Sequence, residues 1–175
     1  MEIELRDTSE VDVAEIVRIR RDPLVQPHQY RLTRYDTVDR LTEHLFGDTK
    51  PGLDVMKSTT VLSDDRVIGN ICHSHGGVYE KYCYCGWNLA PPYWGRGIMS
   101  LALSQFFGSL FSEQGIAAVF SDCFSNNRRC IRLMQKLNYD PIGIGMDERL
   151  QIAITARCYH WIRRFMLTSE VWHAR

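Results

Sequence analysis

The sequence predicts a single α/β domain, and three observations carry the prediction. Strand-like runs and amphipathic helical stripes alternate along all 175 residues, with no repeat, linker or low-complexity stretch between them. Three strand-like runs, Val55–Leu62, Arg66–His75 and Val78–Leu89, follow one another with only Ser63-Asp64-Asp65 and Gly76-Gly77 between them, which makes an antiparallel meander. The last run feeds directly into the ten residues Pro91–Ser100, and an apolar helical run, Met99–Leu110, leaves them.

The remaining elements follow in order. Glu2–Arg6 alternates polar and apolar residues, as a short first strand does. Ser9 with Asp12 three residues on makes a variant capping box for a helix. That helix has Val13, Ile16 and Val17 as its stripe, carries Arg18, Arg20 and Arg21 off it, and stops before Pro23. Leu24–Tyr35 reads as loop. Thr37 caps a second helix with Val38, Leu41 and Leu45, which ends at Gly47. After the helix that follows Pro91–Ser100, Ala117–Phe124 reads as a buried strand. Asn126 and Asn127 cap a helix with Cys130, Ile131, Met134 and Leu137 on one face, and Asn138 ends it. Tyr139–Ile144 reads as a short strand and Ile152–Met166 as the final long one.

Composition narrows the function. Apolar residues make up 45% and charged residues 24%, which suits an ordinary globular core. The 21 basic and 21 acidic residues cancel, so a large nucleic-acid-binding face is not expected, although a local patch fits within a zero total. Of the six cysteines none forms a Cys-x-x-Cys pair, and most lie in apolar strand-like runs, where a cysteine acts as a small hydrophobe. Met1–Arg6 mixes charged with apolar residues, unlike a secretory leader, so a reduced, cytoplasmic setting is expected. No apolar run approaches the roughly 20 residues of a membrane span, so no membrane partner is expected.

Pro91–Ser100 is the stretch with chemistry in it. Gly95 and Gly97 flank Arg96 where strand becomes helix. A helix start exposes unpaired N–H groups and the positive end of the dipole, and bare glycines leave room for a phosphate. The alternative is a tight turn with glycines at positive φ and no ligand. The stretch lacks the Gly-Lys-Ser/Thr ending of a P-loop and the three spaced glycines of a dinucleotide fingerprint.

Two segments in this order resemble the GNAT superfamily of acetyl-CoA-dependent N-acetyltransferases. They are NLAPPYWGRGIMSLAL at Asn88–Leu103 and NRRCIRLMQKLNYDPIG at Asn127–Gly143, and the late LTSEVW at Leu167–Trp172 also suits the family. Within it the chain is most similar to the branch of ribosomal-protein N-terminal (Rim-type) acetyltransferases and related small-amine enzymes. It departs from the common pattern at several places. Trp94 stands for a Gln or Arg, Met99 for a Gly or Ala, Cys130 for a Ser, Asn138 for a Gly and Tyr139 for a Phe. Met134 stands where many members carry a Tyr acid.

The resemblance implies a single domain with a central mixed, mostly antiparallel sheet, splayed where acetyl-CoA binds and flanked by about four helices. It implies that Gly95, Arg96, Gly97, Ile98 and Met99 give N–H groups to the pyrophosphate, with Trp94 and Ser100 also among the cofactor-binding residues. Asn88, Leu89 and Ala90 would pair with the pantetheine arm through their backbone, and Asn127 would hydrogen-bond the same arm. The implied reaction is direct attack of a primary amine on the thioester, with no acyl-enzyme and no metal. Cys130 is the candidate proton donor to sulfur, or a buried helix residue. Glu148 and Glu80 are the candidate bases, with Asp122 a weaker one. His73 and His75 share a strand face and suit a surface or cleft-edge role. The acceptor is a protein N-terminus or a small amine such as a polyamine, an amino acid or an aminoglycoside, with Leu24–Tyr35 and the Glu80 region lining its side of the cleft. An acidic cleft would favour a polycation. Trp161 and Phe165 offer a homodimer surface, or core. The competing functions are a CoA-binding regulatory module without catalysis, and an unrelated mononucleotide binder.

Overall fold

A computed structural model of the chain describes residues 2–29, 36–47, 56–76, 79–145 and 162–174. The sheet grows from a two-residue hairpin. Strand β2 (Met56–Ser63) and strand β3 (Arg66–Gly76) are joined by Asp64 and Asp65, both left-handed at φ 49° and 60°. That conformation matches the twist of the paired strands, and Asp tolerates it because its short side chain bonds locally. Strand β4 (Tyr79–Leu89) pairs antiparallel with β3, and strand β1 (Glu4–Asp7) pairs antiparallel with β2. Strand β5 (Ala118–Phe124) lies parallel to β4, and strands β7 (Ile162–Thr168) and β6 (Asp140–Gly145) complete the order β1-β2-β3-β4-β5-β7-β6. The predicted mixed, mostly antiparallel sheet is therefore present as seven strands with one parallel junction.

Helix α1 (Glu10–Arg20) and helix α2 (Val38–Phe46) pack together through Val13, Ile16, Val17 and Leu41. The start of α1 is pinned to the sheet. Asp12 accepts from the Ser9 N–H and hydroxyl at 2.9 Å each and from both Arg6 guanidinium nitrogens at 2.6 and 2.8 Å. Burial raises the Asp12 carboxyl, but these donors outweigh it and hold the group down to about 2. Helix α3 (Ile98–Ser112) and helix α4 (Arg128–Lys136) enclose the main core with one face of the sheet. Phe107 is fully buried there, in ring contact with Phe111, Tyr139 and Trp172. Burying a side chain of that size contributes about 2–3 kcal/mol.

Three expectations change. Five α-helices flank the sheet among the described residues, not about four; the addition is α5 (Ser169–His173). Thr168 starts it by accepting the Val171 N–H at 3.3 Å, and Trp172 packs on α3. Phe165 is 2% exposed and belongs to the core, so it offers no dimer surface. The expected strand Ile152–Met166 is described only as Ile162–Thr168, and Trp161 and Glu148 lie outside the described residues. No helix among the described residues is long and apolar enough to cross a membrane.

Candidate active site

The parallel junction is short. β4 and β5 pair only from Tyr82 opposite Ala118 to Tyr84 opposite Phe120. Beyond that point the strands diverge. In an antiparallel pair the peptide groups alternate between facing the partner and facing away. Ala90 N–H donates to the Ile68 carbonyl at 2.8 Å, and Asn88 stands opposite Asn70. On the other side Ala117 N–H donates to the Lys81 carbonyl at 2.7 Å. The even-numbered residues of β4 therefore spend their backbone groups on β3, and Cys85, Trp87 and Leu89 direct theirs toward the splay. One of these is already used: the Trp94 indole N–H donates to the Leu89 carbonyl at 2.7 Å.

The splay opens on a cavity of about 1330 Å³. That exceeds the ~300–1,000 Å³ of a site for one small ligand, and suits a long ligand meeting a second one. At one side stands the start of α3. Gly95 and Gly97 are left-handed at φ 73° and 76°, and Gly97 is the N-cap with no side chain to bond the first turn. The first intrahelical bond runs from Leu101 N–H to the Gly97 carbonyl at 3.0 Å. The N–H groups of Ile98, Met99 and Ser100 are thus left without intrahelical acceptors, at the positive end of a 15-residue helix. Their side chains turn into the core. Gly95, Gly97, Ile98, Met99 and Ser100 line the cavity, and Arg96 is exposed between the glycines.

The facing wall is β5 and α4. Asn127 caps α4, accepting the Cys130 N–H at 3.1 Å. The Arg129 guanidinium lies over the Trp94 ring at 4.8 Å, tying the α4 start to the glycine turn. The Cys130 thiol hydrogen-bonds with Cys123, and this contact with burial holds it well above the usual thiol range, so it stays protonated. Arg132, Lys136 and Arg164 add positive charge, and Asp122 faces Arg164 at 3.5 Å.

The third wall is the opposite sheet face with the α1–α2 pair over it. A polar row crosses three strands: Asn70 donates to Ser58 at 3.1 Å, Asn88 donates to Asn70 at 3.0 Å, and Gln29 donates to Asn88. That last bond pins the turn at Gln26–His28 over β4. His28 lines the cavity beside it, and burial and the nearby Arg129 charge push its imidazole below 6.5. Arg20 and His44 line the same region.

The family model for the acetyltransferase (GNAT) domain matches residues 2–140 of this chain. The chain belongs to the GNAT acetyltransferase family. Solved structures of low identity share its fold. A chimera of the spermidine N-acetyltransferase SpeG from Vibrio cholerae and hSSAT is 13% identical, with a TM-score of 0.80 over 100% of both chains. The ribosomal-protein-S5-alanine acetyltransferase from Vibrio fischeri is 14% identical, with a TM-score of 0.74 over 98% of this chain and 96% of its own. No curated protein matches the sequence.

The GNAT fold brings most of the predicted residues to one cavity: Asn88, Leu89, Trp94, Gly95, Gly97, Ile98, Met99, Ser100, Asn127 and Cys130 all line it. Others fall elsewhere. Ala90 and Asn88 turn their backbone groups to β3, so the free edge belongs to Trp87 and Leu89. Glu80 stands near the start of β4, and its side chain lies outside the described residues. His73 is 6% exposed with its ring 4.9 Å from Phe106, so it is core and not cleft edge. The side chain of His75 lies outside the described residues, as does Glu148. Met134 is fully buried. Neither Trp87 nor Arg20 stands out in the sequence as a site residue, and His28 falls within Leu24–Tyr35, the loop expected on the acceptor side. Trp87 is within one residue of the motif, His28 is marked only by its loop, and Arg20 has no local signal.

Proposed function

We propose that this acetyltransferase moves an acetyl group from acetyl-CoA to a primary amine by direct attack. One observation carries the reading: the unpaired edge of β4 runs to the uncapped N-terminus of α3 within a single cavity. The residues fit the cosubstrate. The N–H groups of Ile98, Met99 and Ser100, with the Gly95–Gly97 turn, suit a pyrophosphate, and the exposed Arg96 adds positive charge beside it. Trp87 and Leu89 offer backbone groups to a pantetheine arm as an added strand would. Asn127 lies across from them on α4. Bound there, acetyl-CoA supplies the activated acetyl group.

The chain's own residues do the rest. The Trp87 and Leu89 N–H groups are fixed donors for the negative charge that gathers on the carbonyl oxygen. His28 takes the proton of the attacking amine, because its lowered affinity keeps it neutral at pH 7. Arg129 and the other cationic side chains depress the amine's own pKa, which favours the nucleophilic form. The Cys130 S–H, turned from Cys123 to the departing sulfur, donates a hydrogen bond to it. A thiol held this high is a poor full acid for a thiolate of ordinary pKa near 8.5, so its role is the hydrogen bond.

The test is free-thiol release from acetyl-CoA with N-terminal peptides, amino acids, polyamines and aminoglycosides, together with calorimetric titration of CoA. Release above background with one amine class is expected. CoA binding without turnover of any amine would favour a regulatory module, and no CoA binding would remove the basis of the reading.

A further inference from the structure

Arg20 is the last residue of α1, and the sequence pattern places it off that helix's apolar stripe. It is nonetheless 7% exposed, its Nε is buried with no hydrogen-bond partner, and no carboxylate pairs with it among the described residues. A guanidinium cannot shed its charge, so it does not escape burial by neutralising. Left without a counter-charge, it costs stability that an ordinary surface arginine would not. It lines the cavity on the side away from the α3 N-terminus, with His28, Gln29 and Cys72. Its charge acts on the Cys72 thiol, which places the two close together.

The rest of that wall agrees with it. His44 adds a second titratable nitrogen, and Ser58, Asn70 and Ser74 are neutral. Among the described residues that line the cavity, Asp122 is the single carboxylate, and it faces Arg164 on the CoA side. A polyamine entering here meets like charge and no acid among the described residues of this wall. An acceptor with its own oxyanion meets a buried, fixed, planar donor whose hydrogen bonds are unspent.

We infer that Arg20 reads a carboxylate on the acceptor, so that the enzyme's substrate is a small primary amine bearing a carboxylate, of the free amino acid class. The inference rests on the acetyltransferase reading and deepens it. In the bound state the carboxylate takes the Arg20 Nε–H and a second guanidinium N–H, which completes the charge pair and leaves the amine to turn toward His28. Binding thus removes an unpaired charge from the free protein, and an uncharged analogue gains none of that.

The experiment runs thiol release with the full chain, acetyl-CoA and each of the common L-amino acids beside its α-carboxamide, with spermidine as the polycation. At least one amino acid is expected to show kcat/KM about 100-fold above its carboxamide, the worth of a charged hydrogen-bonded pair. Arg20→Met should bring that ratio close to one, mainly through KM. Equal kcat/KM for acid and carboxamide in the unmodified protein, or spermidine as the best acceptor, overturns the inference while leaving acetyl transfer intact. That comparison needs no variant, so poor folding of Arg20→Met does not spoil it. If no amine is turned over, the acetyltransferase reading fails separately, and Arg20 is followed by NMR. Its Nε–H resonance, assigned by its loss in Arg20→Lys, shifts with the amino acids and not with the carboxamides if it binds a carboxylate. An unmoved resonance overturns the inference.

Discussion

His28 holds a position that no other described titratable residue shares. Its neighbour Gln29 bonds Asn88 on β4, and its own imidazole feels Arg129 at the start of α4. It therefore stands between the strand edge and the helix that carries Cys130. Burial and Arg129 both disfavour the imidazolium, so the neutral form persists to lower pH than for a free histidine near 6.5. The sign follows for a base: activity is full above that lowered value and is lost as pH falls through it. The acidic limb of kcat/KM should thus lie below pH 6.5. His28→Gln should cost about 10²- to 10³-fold in kcat/KM and abolish the limb, measured by initial rates from pH 4.5 to 8. A His28→Gln profile that keeps the limb assigns the base elsewhere.

The helices differ in how openly the sequence declared them. Helices α2 and α4 have a cap, a stripe and a stop within a dozen residues, so local rules sufficed. Thr37 accepts the Arg40 N–H and Asn127 the Cys130 N–H, as their positions suggested. Helix α5 escaped notice because five residues give no periodicity, and its stability comes from Trp172 against Phe107 and Phe111. Arg20 escaped for a related reason: position on a helical wheel tells which residues leave the stripe, not which of those another element then covers. The start of α3 was legible because its chemistry is contiguous, and it can be tested within one helix. An alanine at Gly97 meets nothing within 4 Å, but must hold φ 76° or turn the next N–H away. The left-handed cost is about 1–2 kcal/mol, so Gly97→Ala should lower Tm by about 4 °C and weaken CoA binding about tenfold. Gly108→Ala, in the interior of the same helix and also in open space, should raise Tm instead, since glycine costs about 1 kcal/mol there. Differential scanning and CoA titration separate the two; equal effects would show that φ at the turn is not what matters.

At the scale of the whole molecule, charge is neutral in sum and uneven in place. The 21 basic and 21 acidic residues balance, yet the fold gathers Arg20, Arg129, Arg132, Lys136 and Arg164 on one cavity with Asp122 as the only described carboxylate. Sequence could not show this, because these cations come from α1, α4 and β7, which the chain order keeps far apart. A cavity of low-dielectric walls and one sign of charge concentrates an anionic ligand, and the attraction is screened once the Debye length shrinks. That length is about 10 Å at 0.1 M salt and about 3 Å at 1 M. The Kd for CoA should therefore rise on the order of tenfold between 0.05 and 0.5 M sodium chloride. Dephospho-CoA, which carries one phosphate fewer, should show a shallower slope. Arg132→Glu, on an exposed turn of α4, should flatten the CoA slope while leaving Tm within a degree or two, as surface substitutions do. A CoA affinity independent of salt, with the fold intact, would mean that the N–H groups at the α3 start hold the ligand alone and that the gathered cations serve only the acceptor.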